Sequence, residues 1–180
     1  MEEHVILVDG DDVPKGQMEK MKAHEEGALH RAFSVFIFNY KRELLLQQRA
    51  KSKYHSGGLW TNTCCSHPKI GESNVHAAKR RLKEEMGMEC DISYLFKFTY
   101  KAEFENGLTE HEVDHVFFGM TDELPVINKA EVEDFKYMDL VSLQEDINLN
   151  PEAYSPWLRI CLDKVVRHAS TARTKNGHTA

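Results

Sequence analysis

Two adjacent thiols and an imidazole stand together in residues 61–68, TNTCCSHP, where Cys64 and Cys65 shortly precede His67. In an extended backbone alternate side chains leave opposite faces, so Cys65 and His67 share one face while Cys64 shares the other with Ser66. The two cysteines cannot bridge to each other without severe strain, because neighbouring Cα atoms sit only about 3.8 Å apart and disulfides want more. A zinc knuckle would need further Cys or His at short spacing, and adjacent ligands diverge. Three readings of Cys65 therefore stand side by side: a small hydrophobe packed inward, a reactive thiol facing a polar pocket, or a metal ligand. A nearby cation would favour the thiolate.

A second group lies at Glu110 and Glu112, two residues apart in a strand-like stretch, so their carboxylates leave one face and His111 the other. They are either the solvated side of an edge strand or half of a cation site that His24, His30 and His67 would complete. Oxygen and imidazole ligands together suit manganese, zinc or ferrous iron better than magnesium, which prefers oxygen alone. In ESNVHAAKRRLKEEMG, residues 72–87, Arg80 and Arg81 precede Glu84 and Glu85 by one helical turn. A solvated helix face would look the same. Glu85 nevertheless stands near a helix C-terminus, where the dipole disfavours an anion and a divalent cation would relieve it. Lys20, Arg49, Lys51, Lys53 and Arg81 are candidate partners for a phosphate, alone or with bridging magnesium.

These groups need a scaffold. Residues 5–8 read as a short strand, DGDD with Pro14 as a turn, and residues 17–27 as a polar, weakly helical stretch. Residues 31–39 and 44–48 read as a hairpin, after which SGGLWTN bends the chain into the cysteine cluster. Val75, Ala78, Leu82 and Met86 form one stripe of a helix over 73–86, with Gly87 as its C-cap. Residues 94–104 and 112–120 alternate as strands about an ENG turn, FKYMDL reads as another strand, and residues 151–168 as a terminal helix. Residues 169–180 are small and polar, a tail expected to be disordered. The sum is a single α+β domain over residues 1–168, layered α/β/α, with a mixed β-sheet between flanking helices.

With 29% charged and 41% apolar residues, the chain has the composition of a soluble globular protein. Its net charge of -6 gives no general attraction for nucleic acid or anionic lipid. The acidic start lacks the basic and long apolar regions of a secretion signal, and no stretch approaches the roughly 20 apolar residues of a membrane span. Four cysteines in this length make free thiols in a reducing compartment the expectation, hence a cytoplasmic protein. A monomer acting on a small molecule, without nucleic-acid or membrane partners, is expected.

The motifs HRAFSVFIFN, LLLQQRA, GLWTNTCCSHP, GES, AAKRRLKEEMG, YKAEFENGLTEHEVDHVFF and YSPW, in this order, give a specific combination that spans nearly all of residues 4–168. In it the chain resembles the type I isopentenyl-diphosphate isomerases of the Nudix fold superfamily. The resemblance implies interconversion of isopentenyl and dimethylallyl diphosphate, and a Nudix-like mixed sheet. It also implies one divalent ion (manganese, zinc or magnesium) held by His24, His30, His67, Glu110 and Glu112, and a second, magnesium, bound with the substrate diphosphate and helped by Glu85. Cys65 would be the essential thiol, Glu112 both ligand and acid/base, Tyr100 an aid to proton delivery and Trp157 the ring facing the allylic skeleton. Lys20, Arg49, Lys53 and Arg81 would bind the diphosphate, and Asn62 and Ser66 would shape the pocket. Aligned on Gly87, the Nudix box has Ser66 at its opening glycine, Glu72 at its first glutamate, and Arg81 where the Arg-Glu pair has glutamate. That loss argues against the rival expectation of a Nudix diphosphohydrolase. A non-catalytic protein that binds metal or prenyl diphosphate is the remaining alternative.

Overall fold

The computed structural model describes residues 3–175, with side chains described through residue 168. A nine-residue apolar strand, β3 (His30–Phe38), runs through the middle of a mixed sheet. It pairs antiparallel with β6 (Cys64–Ser66) on one edge and parallel with β8 (Thr109–Met120) on the other, from His30↔Glu112 to Phe38↔Met120. β8 pairs in turn with β7 (Ile92–Glu103) in a long hairpin bulged between Tyr94 and Phe96. The remaining strands are β1 (His4–Val8), β2 (Pro14–Glu19), β4 (Glu43–Arg49), β5 (Trp60–Thr61) and β9 (Val132–Asp139). β2 pairs β1, and both β5 and β9 pair β4.

The sheet is covered on both faces, as the layered α/β/α expectation required. On one face Phe33, Val35, Ile37 and Cys64 pack with Ala77, Ala78, Leu82 and Met86 of α2 (Asn74–Met86). On the other, Phe36 and Phe38 pack with Leu143 of α3 (Leu140–Leu149) and with Trp157, Leu158 and Leu162 of α4 (Pro156–Lys175). Each such fully buried aliphatic side chain contributes about 1.5–3 kcal/mol relative to exposure. Ser73 caps the start of α2. Gly87 ends it at φ +64°, where a side chain would also run into the Val126 carbonyl. A further helix, α1 (Lys20–Glu26), begins at the capping carboxylate of Glu19 and ends at left-handed Gly27.

Several expectations change. Residues 31–39 and 44–48 meet at one pair only, Phe38↔Leu44. A strand apolar on both faces is a central strand, and β6 and β8 satisfy its two edges instead. Residues 14–19, mostly exposed, form an edge strand that leads into a helix shorter than the stretch expected. α3 was not foreseen. α4 continues to Lys175, past residue 168, and residues 176–180 of the expected tail lie outside the described residues.

Candidate active site

Register decides what faces what. Ser34 stands opposite Cys65, His30 opposite Glu112 and Ala32 opposite Asp114, so Cys65, Glu112 and Asp114 share the sheet face of Ser34 and His30. Across the hairpin Tyr100 stands opposite Glu112 and Ala102 opposite Glu110. Cys64, opposite Val35, is fully buried in the α2 layer. The two thiols thus point to opposite layers, as the parity of TNTCCSHP requires.

On the Cys65 face the sheet opens into a cleft lined by Cys65, His67, Tyr100, Glu110, Glu112 and Trp157 together with Lys20, Arg49, Lys53, Arg81 and Glu85. Below it His24, His30, His67 and Glu112 converge, with one donor atom from each within 4.8 Å of the others, all four buried. His24 Nδ1 lies 2.7 Å from the Lys20 carbonyl and His30 Nδ1 lies 2.8 Å from the Ala28 carbonyl. A carbonyl can only accept, so both Nδ1 atoms carry a proton; the Nε2 lone pair of His24 turns toward the cluster, and His30 presents one there whenever its imidazole is neutral. His24 Nε2 is buried without a hydrogen-bond partner. His67 Nε2 lies 2.9 Å from Glu112 Oε1 and 3.2 Å from His30 Nε2. Convergent imidazole lone pairs beside a buried carboxylate fit a divalent cation of the borderline class.

Electrostatics agree with that donor set for His24 and His67. Burial drives His24 and His67 down to about 4, so both imidazoles are neutral and free to ligate. Burial also opposes charge on His30, but the hydrogen bond and charge of Glu112 outweigh it and raise the group. Glu112, although burial resists its ionisation, is held well below the usual carboxylate range by hydrogen bonds from His30 and His67. Glu110 goes the other way, raised by burial and by the charge of Glu112. The Tyr100 hydroxyl lies 2.6 Å from Glu112 Oε2 and 2.9 Å from Glu110 Oε2. One phenol proton cannot serve both contacts. A proton on Glu110, which burial and the charge of Glu112 favour, would supply the second hydrogen and link Glu110, Tyr100 and Glu112 as a short proton chain.

Glu110 falls outside the four-residue cluster. It groups instead with His24 and His55, its Oε1 lying 2.9 Å from His55 Nε2. His55 is a residue that sequence reasoning missed, as is Asp114, which accepts a 2.7 Å hydrogen bond from Ser34 and is raised well above the carboxylate range by burial. The alternation of EHEVD could have shown Asp114, since it continues the face of Glu110 and Glu112. His55, stacked on Phe104 at 4.6 Å in an irregular loop, had no periodic signal. Gly57 closes that loop so tightly that a Cβ would lie 2.7 Å from the Lys51 carbonyl.

The thiol of Cys65 is pushed up strongly by burial, and Arg49, with Nη1 3.9 Å from Sγ, is the nearby cation that opposes this. The Arg49 guanidinium also lies 5.2 Å from the Trp157 ring centre, so a cation already rests on that π-face. Asn62 accepts the indole N–H at 3.1 Å and donates to the Val35 and Cys64 carbonyls, which fixes Trp157 against the cysteine strand. Thr61 and Ser155, 2.7 Å apart, join the WTN and YSPW motifs.

At the other end of the cleft Glu85 accepts from Arg81 at 2.6 Å and from Gln47 at 2.9 Å. Arg81 also meets Glu84, and its charge is strongly retained. Lys20, about one helical turn before His24 on α1, pairs with Glu3 at 2.9 Å. Ser66, paired with Phe33, lines the cleft too.

A family model described as NUDIX domain matches residues 28–158. Isopentenyl-diphosphate Delta-isomerase 2 of Aromatoleum aromaticum is 52% identical over 98% of this chain and 92% of its own length. Isopentenyl-diphosphate Delta-isomerase 1 of the same organism is 53% identical over 97% and 99%. The isopentenyl-diphosphate Delta-isomerase of Pectobacterium atrosepticum is 49% identical over 89% and 90%. Among solved structures, a Deinococcus radiodurans protein matches with a TM-score of 0.76 at 20% identity, covering 90% of this chain and 98% of its own. A MutT protein of Methanosarcina mazei matches with a TM-score of 0.64 at 16% identity, covering 78% and 95%. At that identity these two speak for the fold.

Proposed function

The chain belongs to the type I isopentenyl-diphosphate isomerases of the Nudix superfamily, and from that membership we propose that it interconverts isopentenyl and dimethylallyl diphosphate. One observation carries the reading: Cys65 on β6 and Glu112 on β8 flank β3 on a single sheet face. Two strand spacings, roughly 9–10 Å, separate their strand axes, and the four-residue offset from Ser34 to His30 adds roughly 13 Å along β3, so both side chains must reach inward over the cleft. A five-carbon alkene fits between an acid on one side and a base on the other, which an allylic proton shift requires.

In the forward direction the Glu112 and Tyr100 side gives a proton to the terminal alkene carbon, and positive charge forms at the tertiary carbon. Cys65, as thiolate, then takes the allylic proton, and the electrons of that C–H bond become the new double bond. Arg49 beside Sγ favours the thiolate that burial resists. Trp157, 2% exposed, helps to keep water from the cation and offers it a π-face. A divalent ion, which His24, His30, His67 and Glu112 would hold with Glu110 drawn in, supplies the charge that fixes Glu112 and tunes its acidity. Manganese, zinc and magnesium are the candidates for that ion. Lys20, Arg49, Lys53 and Arg81 would take the diphosphate, with its magnesium at Glu85, and position it without cleaving it. The enzyme would act as a monomer in the cytoplasm.

Hydrolysis is disfavoured by Arg81, which stands where the Nudix box has a glutamate and so removes one carboxylate from the array that a Nudix hydrolase uses for metal. The test is a product assay with metal-loaded protein, magnesium and isopentenyl diphosphate. Dimethylallyl diphosphate should form without release of phosphate; phosphate release without isomer would sink the proposal.

A further inference from the structure

Lys53 and Arg81 converge on a single atom. Glu131 Oε2 pairs closely with Lys53 Nζ and lies 3.3 Å from Arg81 Nη2. The backbone that carries this carboxylate is anchored: the Glu131 carbonyl accepts the Ala50 amide at 3.0 Å, and the Glu131 amide donates to the Asn128 carbonyl at 2.9 Å. It therefore stays beside the loop that carries Lys53. The Lys53 and Glu131 side chains are 22% and 25% exposed, which puts the pair at the mouth of the cleft rather than in the core. One oxygen shared by two cations is the arrangement that a phosphate oxygen takes.

We propose that Glu131 is an internal stand-in for the diphosphate, holding Lys53 and Arg81 until a diphosphate displaces it and thereby selecting against anions of lower charge. The inference rests on the reading of Lys53 and Arg81 as diphosphate partners. When Glu131 lets go, Arg81 keeps Glu84 and Glu85, whereas Lys53 has Glu131 as its one carboxylate partner among the described residues. Lys53 is thus the charge released in full to the incoming anion. A diphosphate carries enough charge to replace the lost ion pairs at both cations. A monophosphate, with fewer oxygens, replaces them less well and, facing the same displacement cost, leaves the site to Glu131 at concentrations where a diphosphate fills it.

The experiment is calorimetric titration of metal-loaded, full-length protein with inorganic pyrophosphate and, separately, inorganic phosphate, each with magnesium, in wild type, E131Q and K53M. Pyrophosphate should bind E131Q about threefold to tenfold more tightly, the change an ion pair of such partial exposure can hold back. Phosphate should gain by a similar factor, since both anions displace the same carboxylate. K53M should weaken pyrophosphate. If E131Q fails to fold, E131D withdraws the charge by one methylene and should shift affinity in the same sense by less. Unchanged or weaker pyrophosphate binding in E131Q, with K53M weakened as expected, overturns the stand-in and makes Glu131 a positioning residue or a magnesium ligand. Unchanged binding in K53M overturns the diphosphate reading of Lys53, and the inference with it.

Discussion

β3 and β8 carry polar side chains on both faces, and the two faces treat them in opposite ways. On the α2 side, near the β1–β2 turn, Asp12 receives Arg31 Nε at 2.7 Å, His115 Nε2 lies 2.8 Å away, and Lys97 approaches at 3.5 Å. Arg31 also donates to the Asp12 carbonyl at 2.6 Å. One acid there meets several cations and the contacts close. On the other face Glu110, Glu112 and Asp114 are buried with His24, His30 and His67, and His24 Nε2 has no hydrogen-bond partner. That face holds surplus lone pairs, a state that is costly unless a cation or substrate uses it. A balanced polar cluster fastens a fold, whereas an unbalanced one of a single donor class points to chemistry.

The contrast can be broken first at the thiols. C65A should lower turnover by about 10³-fold with little change in stability. C64A, which trims the α2 layer, should stay within a few-fold of wild-type turnover and cost about 1–2 kcal/mol in urea denaturation. Equal losses of activity in both would show that the two faces are not functionally separate. Next, E112Q should lower turnover by about 10²–10³-fold and bind less divalent metal by elemental analysis. Chelation of wild type should give the same loss, restored by adding metal back. W157F keeps a ring but weakens its hold on a cation; a kcat loss of about threefold to tenfold with KM nearly unchanged is expected.

The balanced face should behave in reverse. D12N should leave kcat within about twofold and cost about 1–2 kcal/mol of stability. Asp12 is held below its ordinary value of 3.8, since hydrogen bonds and charges from Arg31 and His115 outweigh its burial. A carboxylate with a depressed folded pKa stabilises above its unfolded value and loses that contribution as pH falls through the folded one. The stability gap between wild type and D12N should therefore be full at neutral pH and close progressively below about pH 4.

What could be read from the residues alone follows these same physical lines. Period-two parity placed Cys65 with His67 and Glu110 with Glu112, because a strand's alternation is local. The helix ending at Gly87 was legible from its stripe and its left-handed cap. The parallel pairing of β3 with β8 was not, since it joins segments some 80 residues apart and leaves no local mark. That pairing brings His30 opposite Glu112 and builds the site. His55 and Glu131 lie in irregular segments, where no period singles out a residue. β2 escaped notice because a polar edge strand lacks the apolar alternation that identifies half-buried strands.

In the proposed mechanism the unbalanced face moves protons on carbon, and Cys65, not Cys64, takes one of them. The direct measurement is deuterium incorporation into isopentenyl and dimethylallyl diphosphate in heavy water, followed by NMR with metal-loaded wild type, C65A and C64A. Wild type and C64A should place deuterium on the allylic and methyl carbons while C65A places almost none. Exchange by C65A at the wild-type rate would contradict the account.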